Sequence, residues 1–183
     1  MSEWNIFRAA LILAAFLEAG SAVWLFRLNP AKQEQTDRLP RNKKAGIVLG
    51  FLALLWCVPH AEPIVFNWML PWLYPAVILF TVLSWFFLDY LFSRAVGGLL
   101  ILGTYYFVYG AFNFHTPSLA AFSILYWLAG IAGICFSGKP CWMRDLFRLC
   151  CKSSRIRWTA AGFCAILSAA SILAAILTKG GQC

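Results

Sequence analysis

The stretch WNIFRAALILAAFLEAGSAVWLF, Trp4 to Phe26, decides the fold class, because its only charges are those of Arg8 and Glu18. About 20 predominantly apolar residues in a helix cross the hydrocarbon of a bilayer. This stretch is long enough to do so. It is too long for the apolar region of a secretory signal and no basic segment precedes it, so it reads as a retained helix. The rest of the chain agrees. Its 183 residues are 62% hydrophobic and 12% charged, with a mean hydropathy of +0.74. Soluble domains are nearer half apolar and a quarter charged, so lipid is the expected solvent for most of these side chains.

Five further apolar stretches follow: about 45–58, 73–88, 95–112, 117–136 and 158–177. With 4–26 they predict an all-α, polytopic transmembrane bundle of six helices, a single domain over 1–183. The breaks have chemical reasons. Residues 27–44 are polar and carry Pro30 and Pro40. The second stretch is short by itself and is expected to be extended by residues around Lys44 or His60, with the sequence Pro-His-Ala-Glu-Pro at 59–63 stopping it, since proline removes ladder donors. Thr116-Pro117 suits the cap and first position of the fifth span. Gly180-Gly181 closes the sixth. Ile64–Leu70 is too short to cross. With Trp68, Trp72 and Tyr74 nearby, it is expected at the outer interface or dipping back into the membrane.

Charge sets the orientation. The net charge is +8. Arg27, Lys32, Arg38, Arg41, Lys43 and Lys44 lie between spans 1 and 2, and Arg94 between spans 3 and 4. Lys139, Arg144, Arg148, Lys152, Arg155 and Arg157 lie between spans 5 and 6. Arg8 and Lys179 fall on the other side. The positive-inside rule therefore puts these three loops in the cytoplasm and both termini on the non-cytoplasmic side. Placed so, the charge is read as attraction to anionic lipid headgroups and not to nucleic acid. The expected location is the cell membrane, a bacterial inner membrane or its equivalent. Residues 141–152 add an amphipathic pattern. Trp142, Met143, Leu146, Phe147 and Cys150 share one face, and Arg144, Arg148, Lys152 and Arg155 another. This suits a helix on the inner leaflet or an ordinary cytoplasmic connection.

Small residues mark packing faces. Span 6 repeats them at Ala161, Ala165 and Ala169, and again at Cys164, Ser168 and Ser171. Span 1 has Ala10, Ala14, Ala15, Ala19 and Gly20. Span 4 places Gly103 and Gly110 one heptad apart.

Glu18 is the most informative polar residue. A carboxylate inside a span costs about 2.5–3.5 kcal/mol on insertion scales unless it is paired or protonated. It is read either as half of a buried ion pair, with Arg94 as the partner, or as an ion or proton site. Asp89 and Arg94 bracket the turn between spans 3 and 4, where both can snorkel to water. They complete the candidate intramembrane site. His60, Glu62 and His115 are candidate polar residues of the outer face. Two histidines and a carboxylate can ligate zinc, but these come from separate loops, and no metal or cofactor is assigned. Tyr105, Tyr106 and Tyr109 are placed to bond a ligand or a partner inside the bundle.

The seven cysteines include no Cys-x-x-Cys pair. Cys135, Cys141, Cys150 and Cys151 are assigned to the reducing side. The vicinal Cys150-Cys151 pair, beside basic residues, suits palmitoylation in a eukaryote. Cys57 and Cys183 are both assigned to the outer side, and no disulfide is assigned between them. No phosphate-binding loop, nucleophile elbow or zinc-protease motif is present. The reading is a non-enzymatic transporter component or a small subunit of a membrane assembly, with lipid and a membrane protein as partners. The alternative is a membrane enzyme acting on lipid or thiols through Asp89, Arg94, His60, Glu62 or the cysteines.

Overall fold

The computed structural model describes residues 3–62, 64–116 and 119–178. Every regular element among them is helical: α1 (Glu3–Phe26), α2 (Gln33–Arg38), α3 (Lys43–Ala61), α4 (Leu70–Phe87), α5 (Leu91–Asn113), α6 (Leu119–Gly138), α7 (Cys141–Lys152) and α8 (Ser154–Leu177). Six helices are long and apolar enough to cross a membrane: α1, α3, α4 with the turn before it, α5, α6 and α8. Their outward faces carry large apolar side chains such as Phe16, Phe86, Ile134 and Ile176. Water would not tolerate apolar surface on this scale. This is the architecture of a multi-pass integral membrane protein.

The spans run longer than the composition suggests. Asn42 starts α3, its side chain accepting from the Ala45 N–H at 3.2 Å. That helix is extended at both ends, as its short apolar stretch requires: it takes in Lys44, and it passes through Pro59 and His60 to stop at Ala61, within the 59–63 break. Proline near a helix end removes one ladder bond, and the backbone recovers at once, with the Glu62 N–H donating to Val58 at 3.0 Å. Met69 leads out of a 3-10 turn over Asn67–Met69 directly into α4, which takes Pro71 in its first turn and continues through Pro75. Helix α5 begins at Leu91, so Arg94 lies in its first turn and not in a loop. Pro63, Ser118 and the expected first-turn Pro117 lie outside the described residues, as do Lys179, Gly180-Gly181 and Cys183.

The chain divides into two compact units. The first comprises residues 1–33, 104–129 and 147–183. Its core is Phe7, Leu11, Phe107, Ala111, Phe122, Tyr126 and Leu167, with Ala174 and Ala175. The Phe7 ring occupies the space a side chain on Gly110 would need. Helices α1 and α8 pack intimately, and the Ser168 hydroxyl donates to the Ala15 carbonyl at 2.9 Å. Of the two small-residue stripes on α8, the one at Ala161, Ala165 and Ala169 is not the packing face: Ala165 and Ala169 are exposed. A strict spacing of four drifts off a 3.6-residue helix face, whereas alternating threes and fours stay on it. The buried set Ala161, Ser168, Ser171 and Ala175, with half-buried Cys164, has that alternation.

The second unit comprises residues 34–103 and 130–146. There α3 packs on α4. Gly97 of α5 faces Gly133 of α6 so closely that a Cβ on either would meet the other's carbonyl oxygen, at 2.6 and 2.8 Å.

Helix α7 spans the residues its amphipathic pattern marks. Met143, Phe147, Cys150 and Cys151 are buried, while Trp142 and Leu149 are exposed. The apolar stripe expected against the inner leaflet is therefore largely covered by protein. Phe147 meets Trp24 edge-on at 5.2 Å.

Candidate functional site

Ala15, Glu18 and Ala22 are spaced three and four apart, so the Glu18 carboxyl lies on the stripe of α1 that carries buried Ala15 and Ala22. Ser168, Ser171 and Ala175 have the same spacing on α8. Packing the two stripes brings the Ser171 hydroxyl to Glu18 Oε2, donating at 2.9 Å. Tyr126 of α6, only 3% exposed, brings its phenol to Glu18 Oε1, donating at 3.1 Å. The two hydroxyls also meet each other at 2.7 Å. Thr104 holds this part of α6 by donating to the Tyr126 carbonyl at 2.9 Å.

Glu18 thus has two hydroxyl partners, and no basic side chain pairs with it among the described residues. Within its compact unit the carboxyl belongs to a ring of three oxygen-bearing groups. Tyr126 and Ser171 each own one hydroxyl proton, and an ionised carboxylate owns none. The triangle of Glu18, Tyr126 and Ser171 has three edges. Two protons fill two edges; a third proton, on Oε2 and donated to Ser171 Oγ, reverses that edge and releases the serine proton to Tyr126, so that every edge carries a hydrogen bond. The Leu167 carbonyl, 2.9 Å from Ser171 Oγ, competes for the serine proton and sharpens the shortage.

The other residues singled out in the sequence do not join this ring. Asp89 is exposed in the turn after α4 and has no hydrogen bond or ion pair among the described residues. Arg94 is half-buried, and its Nε has no hydrogen-bond partner among the described residues. His60 turns back on its own helix, with Nδ1 3.0 Å from the Trp56 carbonyl. Glu62 is exposed, and so is His115, at a φ of 49°. No group of three or more His, Cys, Asp or Glu side chains gathers at metal-binding distance among the described residues. Tyr105 and Tyr109 stack on each other at 5.9 Å along the outside of α5. Tyr106 packs on Phe7 and, with Tyr109, lines a shallow apolar groove of about 250 Å³.

Cys150 and Cys151 are 0% and 1% exposed, which leaves no room for an acyl chain on either sulfur. Burial, with the neighbouring Cys151 thiol adding to it, pushes the Cys150 thiol up from its ordinary range, and the Arg157 cation opposes this in part. Cys150 is therefore a less reactive thiol than a free cysteine.

Tyr126 and Thr104 carried no sequence signal that set them apart from other polar residues in apolar spans. Ser168 and Ser171 were visible only as small residues. What identifies them is the register of α1 on α8, which aligns Glu18 with Ser171. Comparison with protein-family models, with curated proteins and with solved structures finds no match.

Proposed function

We propose that this protein is a non-enzymatic, multi-pass component of membrane transport machinery that carries an exchangeable proton on Glu18. The supporting observation is the ring itself: a carboxyl within an apolar span, bonded to two neutral hydroxyls, with one proton too few unless it is protonated. A carboxylate without a cation is costly in hydrocarbon, and protonation removes that cost. Ser171 and Tyr126 then act as relay groups, since a hydroxyl can pass on one proton while it accepts another. In this reading the protein lies in the cell membrane. The basic connections face the cytoplasm and both termini face outward, as the distribution of lysine and arginine favours.

The test is proton movement in liposomes holding the purified protein, driven by a potassium diffusion potential. Wild type should take up protons, and Glu18→Gln, which keeps the shape but cannot exchange a proton, should not. Uptake by Glu18→Gln at the wild-type rate, or none by wild type, would contradict the proposal.

A further inference from the structure

Tyr90 is the last residue before α5, in the turn that follows α4, with a φ of 57°. Tyrosine seldom enters this left-handed region, so tertiary contacts must hold it there. The contacts come from two arginines distant in sequence. Arg41, just before α3, donates to Tyr90 Oη from Nε at 3.1 Å and from Nη2 at 2.8 Å. Its guanidinium also lies over the Tyr90 ring, 5.2 Å from the centroid. Arg144 of α7 donates to the same oxygen from Nη1 at 3.3 Å.

Two full positive charges therefore converge on one neutral oxygen. A phenol oxygen solvates them but neutralises neither. Arg41 has no carboxylate partner among the described residues. Arg144 donates to a single oxygen of the exposed Asp145 carboxylate, from Nε at 3.4 Å and Nη2 at 3.3 Å, which are long contacts for an ion pair. The first turn of α5 begins at the next residue and adds the partial positive charge of a helix N-terminus. Arg94, in that turn, keeps a buried Nε without a partner.

Guanidinium forks match tetrahedral oxyanions, which accept several charge-assisted hydrogen bonds at once. The level in the membrane fits as well. The turn joins two apolar spans, Asn67–Phe87 and Leu91–Asn113, so it lies where hydrocarbon gives way to headgroups. We propose that Arg41, Tyr90 and Arg144 form a binding site for a phosphate group of net negative charge, supplied by a lipid headgroup or by phosphate in solution. The site does not rest on the Glu18 reading. It gives the strained tyrosine a purpose: Oη spaces the two forks apart and leaves Arg41 Nη1 and the second N–H of Arg144 Nη1 for the anion.

The test uses the full chain in two settings, with thermal unfolding as the readout. In uncharged detergent, stripped of lipid, it is titrated with inorganic phosphate against sodium chloride of equal ionic strength. In nanodiscs, phosphatidylcholine alone is compared with phosphatidylcholine mixed with phosphatidylglycerol. The wild-type midpoint should rise with phosphate, which identifies a soluble source, or only with phosphatidylglycerol, which identifies the headgroup. The double variant Arg41→Gln/Arg144→Gln should lose the rise, with binding weaker by about tenfold or more. Lys152→Gln/Arg155→Gln, which removes exposed charges outside the cluster, should keep it. If the first double variant does not fold, Arg41→Lys and Arg144→Lys take its place; they keep the charge, lose the fork and should also weaken the rise. No rise with either probe, or a rise equally large in the cluster variants, overturns the proposal.

Discussion

Replacing Gly97 with alanine is expected to destabilise the protein, toward the upper end of the roughly 1–3 kcal/mol typical of overpacking. The added Cβ would stand 2.6 Å from the Gly133 carbonyl oxygen and 2.8 Å from the Ser137 backbone nitrogen. Both are backbone atoms in a helix and cannot turn aside as a side chain can. The helices must separate, and in lipid no hydrophobic force drives them back together. Close packing is the main attraction, so a wider gap loses dispersion along the whole contact. Gly98 is the internal control. It is the adjacent residue on the same helix, and a Cβ there meets nothing within 4 Å. Gly98→Ala should be neutral or stabilising, by up to about 1 kcal/mol, since alanine is the better helix former. Thermal unfolding of both variants in the same detergent separates the two effects. Equal loss in both would show that Gly97 and Gly133 do not set the helix separation.

Glu18→Gln and Glu18→Lys should fall far apart. If the carboxyl is protonated, glutamine is close to an isostere, and its amide can donate and accept around the same ring. Stability at neutral pH should then change by no more than about 0.5 kcal/mol. A carboxylate bound to a base would behave differently, since removing its charge would strand the base and cost about 3–5 kcal/mol. Lysine at the same place brings a cation toward two hydroxyls and no acid, at about 2.5–3.5 kcal/mol on insertion scales. Unfolding midpoints of the two variants against wild type read both effects. A strongly destabilised Glu18→Gln would mean that the carboxyl is held by a positive charge.

The spans were legible because hydropathy acts on whole segments and tolerates local detail. Their ends were not. The stretch 59–63 looked like a stop at its first proline, but a membrane helix must satisfy its backbone internally, and α3 runs on past Pro59 where neighbouring bonds recover. Arg94 looked like a loop residue because charge marks the ends of apolar runs, yet α5 starts three residues before it. Glu18 stood out at once, since an acid in an apolar span is rare and costly. Its partners did not. A tyrosine and a serine in apolar helices are ordinary residues until helix register shows which of them meet. Charge complementarity pointed to a base, whereas the packing of α1, α6 and α8 brings neutral hydroxyls to the carboxyl. Tyr90 was hidden for a related reason: its left-handed backbone and its two arginines belong to tertiary structure.

The central claim is that Glu18 holds a proton inside the membrane. Infrared spectroscopy of the reconstituted protein at neutral pH reads this directly, because a protonated carboxyl has a carbonyl stretch distinct from that of a carboxylate. Wild type should show the band of a protonated, hydrogen-bonded carboxyl, shifted by deuterium exchange, and Glu18→Gln should lack it. A wild-type spectrum with carboxylate bands alone, or the same protonated band in Glu18→Gln, would contradict the account.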